Sequence, residues 1–349
     1  MMDTKTVEFQ HKSDTIFILN KSSTAHFITH YDGTLMARIL DSIETLPIID
    51  RLALLHQQTL LAQAGIIPTA ALIPLIQRYS QETEESVWGI IGLAINEMKR
   101  LVETNKESET KLRQFAGEVA SAQYERLGWT EKENEPENDT KLRPYIIGLM
   151  LYSERADVIT QANELYTEQT TENLYTETRV AILANAVRKA KDSSVVDKLL
   201  NEYVKTSNSE LRDDIAAALT STDKLEDVKR FATTIQNPSV VRMQDVSHWL
   251  AWLIRNRYGR DFMWQWVQDE WEWIDDKFSK ETHYDMVPRY VAGGLVTEAQ
   301  LHEYQAFFTP MLSNVALKRN IQLGITELEG RVALIERDAP AVQQALLNL

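Results

Sequence analysis

The chain contains no cysteine. That removes disulfide frameworks, thiolate nucleophiles and cysteine-ligated metal sites together, and it fits a reducing, cytoplasmic setting. Glycine and proline are scarce, 12 and 9 among 349 residues, too few turn formers for a sandwich or barrel of this length. No apolar run approaches the roughly 18 residues of a membrane span. The nearest, Ile66 to Ile76, is interrupted by Pro68, Thr69 and Pro74. The start, Met1-Met2-Asp3-Thr4-Lys5, leads into no apolar segment, so no secretory signal is expected. Positive charge is also short. With 37 basic against 51 acidic side chains the net charge is −14. A surface of that sign repels phosphate backbones, so neither nucleic acid nor a membrane is expected as partner.

Catalytic signatures are missing as well. The sequence has no H-E-x-x-H, no G-x-S-x-G and no glycine-rich phosphate loop. His26 and His30 have the spacing of two zinc ligands on a helix, but Phe27-Ile28-Thr29 between them reads as strand. Four strand residues span about 13 Å, too far for one ion. The other histidines are isolated; His56 and His248 lie beside apolar residues and read as core or groove positions. Acidic pairs such as Glu84-Glu85, Asp213-Asp214 and Asp275-Asp276 read as solvated helix faces. No catalytic residue and no metal ligand is therefore assigned.

What is present is a change of period. Val7-Glu8-Phe9-Gln10 alternates, Thr15 to Leu19 is a β-branched and aromatic run, and His26 to Tyr31 alternates again up to Asp32-Gly33. Two or three strands are too little sheet to fold alone. Residues 1–33 are expected to be the β-strand remnant of a preceding β-sandwich domain. From Thr34 the pattern is helical. Leu35, Ile39, Ile43 and Leu46 share a face, and Pro47 marks a break. Val87, Ile91, Ile95, Met98 and Val102 predict a long helix over 82–102, and Leu112 to Leu127 predicts another. Thr130 to Lys141 is a polar connection and a sub-boundary. Short stripes then follow, such as Val180/Leu183/Val187, Val196/Leu199/Tyr203 and Leu211/Ile215/Leu219. Helices this short are stable only when packed on neighbours. The expected fold for residues 34–349 is mainly α, an irregular superhelix of HEAT/armadillo-like helix pairs with a concave face.

Six of the eight tryptophans fall between Trp249 and Trp273. The spacings Trp249/Trp252 and Trp264/Trp271 put each pair on one helix face. Packing between helices and a stacking platform for a sugar or peptide ring both fit that pattern. Arg255, Arg257 and Arg260 are interleaved with them. They are the candidate substrate-groove residues, since guanidinium groups either bind carboxylates or cover tryptophan faces.

Several segments, in order, resemble the C-terminal part of the aminopeptidase N family of zinc peptidases. They are Leu19-Asn20 with Tyr31-Asp32; Asp50-Arg51-Leu52-Ala53-Leu54-Leu55 running to Gly65; Leu127-Gly128-Trp129 before an acidic loop; Arg242-Met243-Gln244-Asp245; Arg255-Asn256-Arg257-Tyr258-Gly259 with Trp264, Trp266 and Trp271; and Phe307-Phe308. Ile28 stands where the family carries an arginine. The family's basic residue for a peptide carboxylate is expected at a helix end that reads Ala218-Leu219-Thr220-Ser221 here. The resemblance makes the tryptophan cluster a packing feature. It implies a helical domain that caps a catalytic domain of the same polypeptide and encloses peptide substrates. The zinc and its ligands would belong to that other domain, and this chain alone would be inactive. The rival expectation is a stand-alone helical-repeat scaffold that binds a protein partner on its concave face. The reading frame upstream of the gene discriminates the two.

Overall fold

The computed structural model describes Glu8, residues 16–281 and residues 283–349. Asp32 opens the first helix, α1 (Gly33–Leu40), its carboxylate accepting the N–H groups of Thr34 and Leu35 at 2.8 and 3.0 Å. Pro47 precedes α2 (Ile48–Gln63), and α3 (Leu72–Gln77), α4 (Glu85–Leu101) and α5 (Lys106–Leu127) follow. α4 starts three residues later than its stripe suggests, because Glu82 turns away to pair with Arg51 at 2.6 Å. α5 starts earlier, at a cap in which Asn105 accepts from Ser108 N–H. Gly128 ends α5 with φ +66°, a conformation that costs glycine little.

The polar stretch 130–141 is only partly a connection. Glu137 to Lys141 form the first turn of α6 (Glu137–Tyr152), where acidic Glu137 and Asp139 suit the positive end of the helix. The chain continues through α7 (Ala156–Glu168), α8 (Thr176–Lys189), α9 (Ser194–Lys205), α10 (Ser209–Thr220) and α11 (Leu225–Thr234). It ends with α12 (Met243–Arg255), α13 (Arg260–Asp269), α14 (Trp271–Phe278), α15 (Val287–Gly294), α16 (Glu298–Phe308) and the 33-residue α17 (Val315–Leu347). No described helix is long and apolar enough to cross a membrane.

The strands expected near the N-terminus are not found among the described residues. Most of Val7–Gln10, and Thr15, lie outside those residues. Ile16 to Leu19 and His26 to Tyr31 form no ladder. A strand needs a neighbour for its N–H and C=O groups, and no second strand faces these. The chain reverses instead through Asn20, Ser22 and Ser23, all at positive φ. It is fastened to α2: Ser22 N–H donates to Asp50 at 2.6 Å and Thr29 N–H to Gln57 at 2.9 Å.

Helices alternate between two layers, as a mainly α superhelix requires. In one layer α4, α6, α8, α10, α12 and α15 pack side by side in sequence; α5, α7, α9 and α11 cover them, and α16 packs on α17. α17 packs on α15 and then returns to α4 and α5, which closes the layer into a circuit. Its polar ties are long-range. Asp338 accepts from Thr69 and from Arg337, and Arg337 also donates to Ala62 O at 2.8 Å. Gln343 donates to Leu101 O at 2.8 Å. One apolar core runs through the whole circuit, from Ile39 through Trp88 and Trp249 to Leu346.

Two substitutions probe this closure. Asp338→Ala removes a buried carboxylate and leaves Thr69 unpaired, so a loss of about 2–3 kcal/mol in urea unfolding is expected near neutral pH. Burial resists the charge of Asp338, but its bonds to Arg337 and Thr69 prevail and lower its pKa. Its contribution is therefore present above the ordinary carboxylate range and lost as pH falls through the depressed value. At Gly294 a side chain would strike the Ile254 carbonyl where α15 crosses α12. Gly294→Val is expected to cost about 3 kcal/mol in the same measurement.

Candidate functional site

Helix ends make the site. The C-terminal turns of α4, α6, α8, α10 and α12 line a concave cavity of about 440 Å³. Lys99 and Arg100, Tyr152, Arg188 and Lys189, Ser221, and Arg255 come from those five turns in order. Helix C-termini carry unpaired carbonyls and roughly half a negative charge each. Side chains from neighbouring helices meet them. Arg113 donates to Tyr152 O and Arg188 to Ser221 O, each at 3.0 Å. Asn256 donates to Thr220 O and Thr222 O at 2.9 and 2.7 Å.

Eight basic side chains line the cavity against four carboxylates, in a chain whose overall charge is −14. Five of the eight are paired. Arg257 and Arg113 share Glu109, each at 2.8 Å, and Arg260 grips Glu103 at 3.0 and 3.1 Å. Arg100 pairs with Glu97 and Lys189 with Glu154, both at 3.3 Å. Among the described residues Lys99, Arg188 and Arg255 have no carboxylate within ion-pair distance.

The charges respond accordingly. Burial lowers the pKa of Lys99 to about 8, helped by Arg188, Arg113 and Arg257 nearby. Burial also lowers Arg188. Glu109 shows the opposite balance: burial would raise it, but the bonds from Arg257 and Arg113 hold it below the usual carboxylate range. Lys99 is half-buried, bonds to Asn96 at 2.8 Å and lies 4.0 Å above the Tyr152 ring.

All three arginines singled out from the sequence reach this one cavity, with different neighbours. Arg257 and Arg260 tie the turn after α12 to the start of α5 across the cavity mouth. Arg255 carries no such tie and lies 5.6 Å from the Tyr290 ring. Lys99 and Arg188 were not singled out. Their signal is a basic pair, Lys99-Arg100 and Arg188-Lys189, in the last turn of two amphipathic helices, α4 and α8. The helix end Ala218 to Ser221 has no base of its own; Arg188 comes to it from α8.

Other sequence features resolve into packing. Trp264 and Trp271 do not share a helix face, because the helix breaks at Glu270 and places them on α13 and α14. Both pack against Phe307 and Phe308. Trp249 is buried against Tyr203 and Phe231, whereas Trp252 faces the cavity. His56 and His248 are exposed rather than core, and His26 and His30 are exposed on irregular chain. The described residues hold no group of three or more His, Cys, Asp or Glu suited to a metal ion, so the zinc implied by the resemblance has no ligand set here.

A model of the family described as ERAP1-like C-terminal domain matches residues 16–329. The chain belongs to that family. An aminopeptidase N of Lactobacillus helveticus is 31% identical over 330 residues, which cover 94% of this chain and 39% of the relative. One of Lactococcus lactis subsp. cremoris is 28% identical over 333 residues, 95% of this chain and 39% of the relative. An aminopeptidase A of Gloydius brevicauda is 22% identical over 236 residues, 67% of this chain and 24% of the relative. The chain thus spans about two fifths of the length of the bacterial relatives and matches their C-terminal region. The segments that carried the resemblance are structural ties of the family fold. Asp50 and Arg51 hold the N-terminal segment and Glu82, Asp245 accepts from Arg242 at 2.7 Å, and Asn256 caps α10.

The depressed pKa of Lys99 gives a signed prediction. Below about pH 8 the amine is charged in folded and unfolded chains alike, and the folded state bears the full cost. Between about pH 8 and roughly 10.4 the folded chain sheds the proton first, so stability rises. Lys99→Met is therefore expected to raise Tm by a few degrees near pH 7, with the difference fading toward roughly pH 10.4. Thermal melts across that range check it; a lower Tm for the variant near neutrality would contradict the assigned environment.

Proposed function

We propose that this chain is the non-catalytic helical domain of an aminopeptidase N-like zinc peptidase. It would sit over the active site of a catalytic domain in the same polypeptide, enclose peptide substrates and limit them by size. The observation that carries this reading is the cavity itself: the ends of five neighbouring helices line its concave wall, and its surplus of positive charge suits the carboxylates of peptides. Of the three candidate groove arginines, Arg255 is the one available to a peptide, while Arg257 and Arg260 hold the wall. The cysteine-free composition supports a cytoplasmic setting. The parent enzyme would remove N-terminal residues. Its zinc and catalytic base are supplied elsewhere, and no bond-breaking step is assigned to residues of this chain.

A docking face for the preceding domain supports the same reading. Phe27, Ile28, Ile48 and Ile49 are between 43% and 52% exposed near the junction of the N-terminal segment and α2. Residues 26–31 also offer backbone groups without a ladder partner, the situation of a strand whose sheet lies in a preceding β-domain.

Turnover of a chromogenic alanyl amide and of a longer peptide tests the proposal. Three samples are compared: this chain, a separately produced catalytic region, and their mixture. No turnover by the chain alone is expected, with faster peptide hydrolysis by the mixture than by the catalytic region. Ile28→Glu with Ile49→Glu is expected to weaken the docking about tenfold or more. Turnover by the chain alone, after removal of host peptidases, would overturn the assignment. Tight capture of folded protein partners with no effect on the catalytic region would favour a stand-alone scaffold.

A further inference from the structure

We propose that Lys99 and Arg188, with Arg255 on the same wall, form a binding site for a tetrahedral dianion of the phosphate class. The argument begins with charge. The cavity holds eight basic and four acidic side chains. Its five helix C-termini each add roughly half a negative charge. Arg100 is neutralised by Glu97 from outside the lining, so the positive charges left without a carboxylate are those of Lys99, Arg188 and Arg255, and a dianion compensates them further than a single carboxylate does.

The surplus is local. Arg113 and Arg257 share Glu109, and Arg113 also reaches Glu154 at 3.2 Å. Arg260 is satisfied by Glu103 and Lys189 by Glu154. That leaves Lys99 and Arg188, at the ends of α4 and α8 on either side of α6, as charges without a carboxylate partner. Arg188 commits only its Nε, to Ser221 O, so its two terminal nitrogens are free to form the paired bonds that guanidinium makes with phosphate oxygens. Lys99 commits one bond to Asn96 and is held over the Tyr152 ring. Its amine still has protons to donate. Lys99 is half-buried and Arg188 is exposed beside it; burial first, and the like charge of Arg188 second, depress the pKa of Lys99, a cost that a counter-ion would relieve. A cavity of about 440 Å³ admits hydrogen phosphate with its remaining hydration.

This site does not depend on the cavity taking peptides, and it is tested without them. Inorganic phosphate is titrated into the intact chain near pH 7 in a low-salt amine buffer, with calorimetry as readout. Acetate at matched ionic strength is the comparison. One phosphate per chain is expected, bound more tightly than acetate. Lys99→Gln and Arg188→Gln are each expected to weaken phosphate at least about tenfold, the loss of one charge-assisted bond. Lys141→Gln, exposed at the far end of α6, is expected to leave binding unchanged. Arg188→Gln and Arg255→Gln, both at exposed positions, serve if the half-buried Lys99 variant fails to fold. Equal affinity for acetate and phosphate, or phosphate binding indifferent to all three cavity variants, would overturn the proposal. Loss of peptide binding with phosphate binding intact would count against the peptidase reading alone.

Discussion

The return of α17 to α4 and α5 is the constraint on which the rest of the structure depends. Helices of 10 to 17 residues make up most of the domain, and none is stable alone in water. In an open helical array each unit rests only on its neighbours, and the ends fray. Here the last helix meets the first units through Leu328, Val342 and Leu346 in the core and through Asp338, Arg337 and Gln343 at its polar edge. Residues 269 apart in sequence, Thr69 and Asp338, share a hydrogen bond. Loss of any one helix then opens the circuit, which couples the stability of the units.

The side-by-side packing of one layer creates the cavity and its charge. Five helices packed side by side in one layer present their C-termini together. Their carbonyls need donors, and the nearest are cations and an amide from adjoining helices. Arg113, Arg188 and Asn256 meet that need directly. More cations gather than the carbonyls and the carboxylates neutralise, so a chain of strongly negative overall charge contains a positive hollow. The fold tolerates this at a cost visible in Lys99, which gives up affinity for its own proton. A position that costs stability in the unliganded protein is where a ligand has most to offer.

The wall of the hollow is held from across the circuit. Glu109 in the first turns of α5, and Glu103 in the turn before it, reach Arg257 and Arg260 beyond the end of α12. These partly buried pairs are 148 and 157 residues apart, and they fix the register of the two sides. The aromatic cluster does the equivalent work on the outside. Trp264 and Trp271 clamp Phe307 and Phe308, which seats α16 against α13 and α14. Tryptophans close in sequence therefore serve different surfaces, and Trp252 alone of that group is turned to the cavity.

By itself the sequence determined the class of fold, most helix positions, the core stripes and the family. Those features are short-range. The burial of Val87, Ile91, Ile95 and Met98 follows from a period of 3.6, and the start of α1 follows from Asp32. It also marked Arg255, Arg257 and Arg260 as chemistry worth placing. It did not reveal that two of them are clamps, because their partners lie on α5, far away in sequence. Nor did it join Lys99 to Arg188, which stand 89 residues apart and meet only when α4, α6 and α8 lie side by side. The alternation of His26 to Tyr31 was legible as a pattern and still makes no strand among the described residues, since a ladder needs a second chain segment that the pattern cannot supply. Tertiary structure decided these points for one physical reason. Helical period and caps act within a turn or two, whereas ion pairs, cavities and sheet pairing depend on where the ends of distant elements come to rest.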